Sequence, residues 1–204
     1  DRDLSDAPFT ATGFLSAVEM GENHPVLSVQ ESVRVPLLFG VNATDPTGIE
    51  AEIDAALAQG YGTLKIKVGF AIEADLQRVR LIQRVNRGRA MLRIDANQGY
   101  SRDEACVFAR NLDPESIELL EQPCAAEDWD GLEAVAKVSA IPLMLDESIY
   151  HERDIERAAG IGASFVKLKL MKFGSLGRLE AGLQRIRALG MEPVLGNGVA
   201  SDLG

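Results

Sequence analysis

Residues 63–96 read TLKIKVGFAIEADLQRVRLIQRVNRGRAMLRIDA, and this stretch decides how the chain folds. Its first six residues alternate. Leu64, Ile66 and Val68 share one face of an extended segment, and Lys65 and Lys67 share the other. After Gly69 the period changes. Ala74, Leu76, Val79, Leu81, Ile82 and Val85 recur at the helical spacing of 3.6, which predicts a helix over 72–86 that stops near Gly88. A second strand follows over 91–96, with Leu92, Ile94 and Ala96 on one face and Met91, Arg93 and Asp95 on the other. Strand, amphipathic helix and strand in this order form a βαβ unit, which joins parallel strands.

The unit repeats in both directions. Further strands are expected over 36–41, 117–121, 142–146, 165–169 and 192–195, and helices over 46–59, 102–111, 129–138, 152–159 and 175–189. Gly60, Gly88, Gly160 and Gly190 lie near helix C-termini, and Asp45-Pro46 and Ser101 near N-termini. Seven βα strands with no glycine-rich phosphate loop after the first predict an α/β protein of the (β/α)8 barrel type, not an open doubly wound sheet. The barrel is incomplete in this chain, with about seven βα units, and the expected catalytic domain is 35–204. Residues 1–34 lack the repeat and read as a linker or the remnant of a preceding domain.

Charges fall at the strand ends, where barrels of this type carry their active sites. Lys65 and Lys67 end the second strand, Asp95 the third, Glu121 the fourth, Asp146 the fifth, and Lys167 and Lys169 the sixth. Burying charge there costs several kcal/mol unless it is paired or metal-bound, so five such strands need a compensating reason. The carboxylates of Asp95, Glu121 and Asp146 form an all-oxygen set suited to a hard divalent cation such as Mg2+. Strands two and six are four apart in an eight-stranded barrel, so Lys67 and Lys169 are expected to face each other as two bases flanking a substrate. Lysine is a poor base at neutral pH, but a neighbouring ammonium, from Lys65 or Lys167, and a divalent cation both lower its pKa.

Composition narrows the alternatives. The chain has 204 residues, 46% hydrophobic and 25% charged, which is ordinary for a globular protein. With 31 acidic and 21 basic residues its net charge is -10, which disfavours a nucleic acid or an anionic membrane as partner. No apolar run approaches the roughly 18 residues of a membrane span, and Asp1-Arg2-Asp3 does not open a signal peptide, so a cytoplasmic protein is expected. Two histidines, His24 and His151, and two cysteines, Cys106 and Cys124, support neither a histidine metal site nor a disulfide framework. Lys, Asp and Glu must carry the chemistry.

These residues resemble the enolase superfamily, in its muconate lactonizing enzyme-like subgroup, the mandelate racemase/muconate lactonizing enzyme family. The segments that carry the resemblance are Thr63-Leu64-Lys65-Ile66-Lys67-Val68-Gly69, Arg93-Ile94-Asp95-Ala96-Asn97-Gln98-Gly99-Tyr100, Glu121-Gln122-Pro123, Asp146-Glu147-Ser148 and Lys169-Leu170-Met171-Lys172. The resemblance implies that Asp95, Glu121 and Asp146 bind Mg2+, with Mn2+ as a substitute. Lys67 and Lys169 become the acid/base pair, Lys65 assists Lys67 and the substrate carboxylate, and Asn97 and Glu147 are supports. The implied reaction removes the proton α to a carboxylate through an enediolate, in a two-lysine racemase or epimerase acting on a small carboxylate substrate, in a homo-oligomer. The same residues suit a syn-dehydratase or cycloisomerase. A Schiff-base aldolase using Lys169 and an inactive fragment are the readings outside this class.

Three departures from the subgroup stand out. A substrate-determining capping domain is largely absent, apart from a trace at Ser16-Ala17-Val18-Glu19-Met20 followed by Gly21-Glu22-Asn23-His24-Pro25. After the seventh strand the chain reads Gly196-Asn197-Gly198-Val199-Ala200-Ser201-Asp202, unlike the dipeptide epimerases. The eighth strand, where those enzymes hold a substrate ammonium, lies outside the sequence. These segments do not support a dipeptide substrate.

Overall fold

The computed structural model describes residues 8–28, 31, 32 and 34–197. Strands and helices alternate. After helix α1 (Pro8–Gly21) the order is β1 (Leu38–Val41), α2 (Pro46–Ala58), β2 (Thr63–Lys67), α3 (Ile72–Asn86), β3 (Met91–Asp95), α4 (Arg102–Asn111), β4 (Ile117–Glu121), α5 (Trp129–Val138), β5 (Leu143–Leu145) and α6 (Glu152–Gly160). Then come β6 (Phe165–Lys169), α7 (Leu170–Phe173), α8 (Leu176–Ala188) and β7 (Glu192–Gly196). The seven strands are those expected from sequence.

The contacts group the chain into two compact units. One comprises Arg34–Ser148 with Ile161–Ala163, and the other falls within Asp1–Val33, Ile149–Gly160 and Ser164–Gly204. In the first unit β1 to β5 pair in chain order, every pairing parallel. Leu64, Ile66, Leu92, Ile94, Leu119, Leu120 and Phe108 are fully buried there, each stabilising the fold by about 1.5–3 kcal/mol over leaving it in water. A register shift between Leu92 and Arg93 leaves Glu118 opposite the Arg93 guanidinium, which donates to it at 2.7 and 3.0 Å. In the second unit β6 and β7 are parallel.

Element ends differ from the sequence expectation where hydrogen bonding dictates. β1 begins at Leu38, two residues after Pro36, which lacks an N–H for a ladder. β5 stops at Leu145, and the Asp146 N–H that follows bonds to the Gln122 side chain. The turn after α6 is made by Gly162, at φ +86°, whereas Gly160 belongs to the helix. Two helices come as additions. α1 packs on α7, with Thr12 Oγ1 donating to the Met171 carbonyl, and its Glu19 accepts from Leu176 N and Gly177 N at the start of α8. α7 is one short turn, closed by Gly174 at φ +83°.

Candidate active site

The end of β2 presents both lysines on one face, as the strand period requires. Register places Lys67 opposite Asp95, and Asp95 opposite Glu121. The Lys65 ammonium lies 2.7 Å from Asp95 Oδ2 and 3.1 Å from Glu121 Oε2, and the Lys67 ammonium reaches the same Asp95 oxygen at 2.6 Å. Both carboxylates are buried, 0 and 1% exposed. Burial disfavours the Lys65 charge, but Glu121 and Asp95 outweigh it and push its pKa up to about 12. Burial likewise works against the Asp95 charge, and Lys65 then Lys67 overcome it, holding the carboxyl below its ordinary range. The Lys65 ammonium, beside Lys67 on the same strand face, thus sits on the two carboxylates.

From Lys67 the network runs on. Its ammonium donates to Asn97 Oδ1, and Asn97 Nδ2 donates to Glu147 Oε1 at 3.0 Å. Glu147 Oε2 is buried without a hydrogen-bond partner. The Asn97 N–H turns back to Asp95 Oδ1 at 3.0 Å, with Asn97 at φ +44°. Lys65, Lys67, Asp95, Asn97, Glu121 and Glu147 thus share one chain of polar contacts in the first unit. Asp146, 2% exposed, directly follows β5 of that unit. Lys167, buried, and Lys169, half-buried, stand on β6 in the second unit, where both stems meet Gly196 of β7.

Sequence reasoning passed over four supports. The buried Asp75 carboxylate accepts from Gly69, Phe70 and Ala71 N–H groups and from the Tyr100 hydroxyl at 2.7 Å, clamping the loop after β2. Burial first, and then Asp75, push the Tyr100 phenol far above its usual pKa. An acid in the first turn of a helix after a glycine was the available signal. Gly69 and Gly99 touch so closely that a Cβ on Gly99 would lie 2.2 Å from the Gly69 carbonyl oxygen. Gln122 ties β4 to the end of β5.

The donor set fits Mg2+ in kind. Lys65 and Lys67 balance the charges of Asp95 and Glu121, so a third carboxylate brought to the same point needs a further cation, and oxygen donors suit a hard one. Among the described residues, no three His, Cys, Asp or Glu side chains are already gathered closely enough to hold a metal alone. Asp95 and Glu121 are the converged pair, and the N–H of Asp146 is held by the side chain of Gln122, the residue after Glu121.

Residues 48–204 match the family described as enolase C-terminal domain-like. The chain belongs to that family. It is 34% identical over 170 residues to the L-Ala-D/L-Glu epimerase of Bacillus subtilis, a match covering 81% of this chain and 46% of that protein. Among solved structures, the dipeptide epimerase of Enterococcus faecalis V583 complexed with Mg and the dipeptide L-Leu-L-Tyr superposes with a TM-score of 0.76 at 28% identity, over 88% of this chain and 52% of that one. Muconate cycloisomerase from Pseudomonas fluorescens gives a TM-score of 0.75 at 27% identity, over 82% and 48%. The fold is thus that of the enolase-superfamily barrel enzymes, in part. The chain spans about half the length of the relatives it matches. Among the described residues no helix is long and apolar enough to cross a membrane.

Proposed function

We propose that this chain is the catalytic part of a Mg2+-dependent enzyme that moves the proton α to a carboxylate, as a two-lysine racemase or epimerase. The observation that carries the reading is the pair of buried carboxylates, Asp95 and Glu121, converging on the Lys65 ammonium of β2. Asp95, Glu121 and Asp146 would hold the ion, Mg2+ or Mn2+. Bound there, it would hold the substrate carboxylate and offset the negative charge that builds on it as the α-proton leaves.

The chain's own residues do the rest. Lys67, with half of its side chain exposed and its ammonium oriented by Asp95 and Asn97, takes the proton in its neutral form. The α-carbon's electron pair moves into the carboxylate as an enediolate, and the Lys169 ammonium returns a proton from the opposite face. The reverse direction exchanges the two roles. Asn97 and Glu147 orient Lys67, Lys65 keeps Asp95 and Glu121 together, and Lys167 neighbours Lys169. Residues 1–34 as a linker or capping remnant, 35–204 as the catalytic domain, a homo-oligomer and a cytoplasmic setting belong to the same reading.

The likeness to a muconate cycloisomerase favours one second reading, cycloisomerisation or syn-dehydration with one lysine as base. Several relatives are named dipeptide epimerases, yet the departure at 196–202, of which 198–202 lie outside the described residues, argues for screening beyond dipeptides.

The test is Mg2+ binding by calorimetry to the wild type and to Glu121→Gln, followed by α-proton exchange in deuterated water across amino-acid, dipeptide and hydroxy-acid libraries. Binding abolished by Glu121→Gln together with exchange supports the proposal. A folded wild type that binds no Mg2+ refutes it.

A further inference from the structure

β5 ends one residue before Asp146. Its ladder with β4 pairs Glu121 with Met144, and Leu145 is the last strand residue. The N–H of Asp146 is taken up by Gln122. Its side chain is 0% exposed, and its Oε1 accepts from Asp146 N at 3.0 Å and Ser148 N at 3.3 Å. Its Nε2 donates to the Cys124 carbonyl at 3.1 Å and to Ser148 Oγ at 2.8 Å. Every hydrogen-bonding position of the amide is therefore used.

The backbone of Gln122 is engaged as well. Its N–H donates to the Met144 carbonyl at 2.9 Å, and its carbonyl accepts from Gln98 N at 2.8 Å. This non-glycine residue holds φ at +37°, a conformation that costs free energy and persists where the surroundings impose it. One residue thus joins the ends of β3, β4 and β5, beside Glu121 and on the backbone of Asp146.

We infer that Gln122 is a positioning residue that sets the spacing of Glu121 and Asp146 for a divalent cation, an assignment that rests on the Mg2+ reading above. An amide is needed because the pocket offers two N–H donors on one side and a carbonyl and a hydroxyl on the other. Methionine fills the volume and supplies none of these bonds. Glutamate faces the Cys124 carbonyl with an acceptor and adds negative charge beside Glu121 and Asp146.

The experiment is Mg2+ calorimetry on wild type, Gln122→Met and Asn86→Leu, with the thermal midpoint of each. Asn86 is the control: its buried amide bonds to the N–H and carbonyl of Ala90, ahead of β3 and away from the carboxylates. Both variants lower the midpoint. Gln122→Met should weaken Mg2+ binding by about 10- to 100-fold, the usual effect of removing a group that orients metal ligands, while Asn86→Leu stays within about twofold of wild type. Gln122→Met binding within about twofold of wild type, or Asn86→Leu binding as weakly as Gln122→Met, overturns the positioning role and leaves the proposed function standing. A wild type that binds no Mg2+ overturns both. If Gln122→Met does not fold, Gln122→Glu is read in its place, and failure of both to fold assigns Gln122 to stability alone.

Discussion

The ammonium of Lys65 and the carboxylate of Asp95, one on β2 and one on β3, meet at 2.7 Å with the Asp95 side chain 1% exposed. Two strands paired in register bring a cation and an anion 30 residues apart onto one buried contact, and Glu121 joins from the next strand at 3.1 Å. Removing the cation takes the shared ammonium from two buried carboxylates and leaves Asp95 with Lys67. Lys65→Met should therefore cost about 3–5 kcal/mol in urea unfolding, and Mg2+ should raise the stability of the variant more than that of wild type. A variant as stable as wild type would show that the contact contributes little.

Stability should depend on pH through this pair. Asp95 titrates below its usual 3.8 in the folded chain, so its contribution is fully present above that value and is lost as pH falls through the depressed folded pKa. Lys65 runs the other way: its contribution is present below 10.5 and is lost as pH rises through about 12. Urea midpoints measured against pH should fall less steeply below pH 4 for Asp95→Asn than for wild type, from a lower starting stability. Parallel curves would contradict the depressed pKa.

Lys67 and Lys169 should separate by stereochemistry if each serves one face of the substrate. In deuterated water, Lys67→Ala and Lys169→Ala should each slow turnover by about 10²- to 10⁴-fold while losing α-proton exchange from opposite enantiomers. Loss of exchange from both enantiomers in one variant and neither in the other would favour a single base, as in the cycloisomerase reading.

Gly196 faces the stems of both β6 lysines. A Cβ there would stand 2.9 Å from Lys167 Cδ and 3.4 Å from Lys169 Cε. Lysine stems can move, so Gly196→Ala should fold with a modestly changed thermal midpoint yet reduce kcat by about tenfold or more through displacement of Lys169. Gly99→Ala should instead cost stability, about 3 kcal/mol or more, because its new methyl meets the Gly69 backbone and not a flexible chain. Unfolding midpoints and kcat together distinguish the two effects.

The cysteines should differ in reactivity. Cys124 is 0% exposed, and burial, with Asp128 next, pushes its thiol up to about 12, whereas Cys106 is partly exposed. A thiol reagent at pH 8 should modify one cysteine in the native protein, identified by mass as Cys106, and the second only after unfolding.

Much of the fold is legible locally. The change of period at Gly69, from two to 3.6 residues, predicts β2 and α3 to within a residue, and the same signal finds seven strands, because side-chain direction is set by near neighbours. The strand period also puts Lys65 with Lys67, and carboxylates at the ends of β3 and β4. The roles of Lys65, Gln122, Asp75 and the Gly69–Gly99 contact were not legible. Each depends on partners 25 to 56 residues away, brought together by strand register and loop path. Sequence alone thus determined the alternation of elements and the kinds of charge at the strand ends. Tertiary structure alone decided that Lys65 bridges two carboxylates and that the Gln122 amide takes the Asp146 N–H, because hydrogen-bond capacity in a buried site is allotted by whichever groups the packing brings within reach.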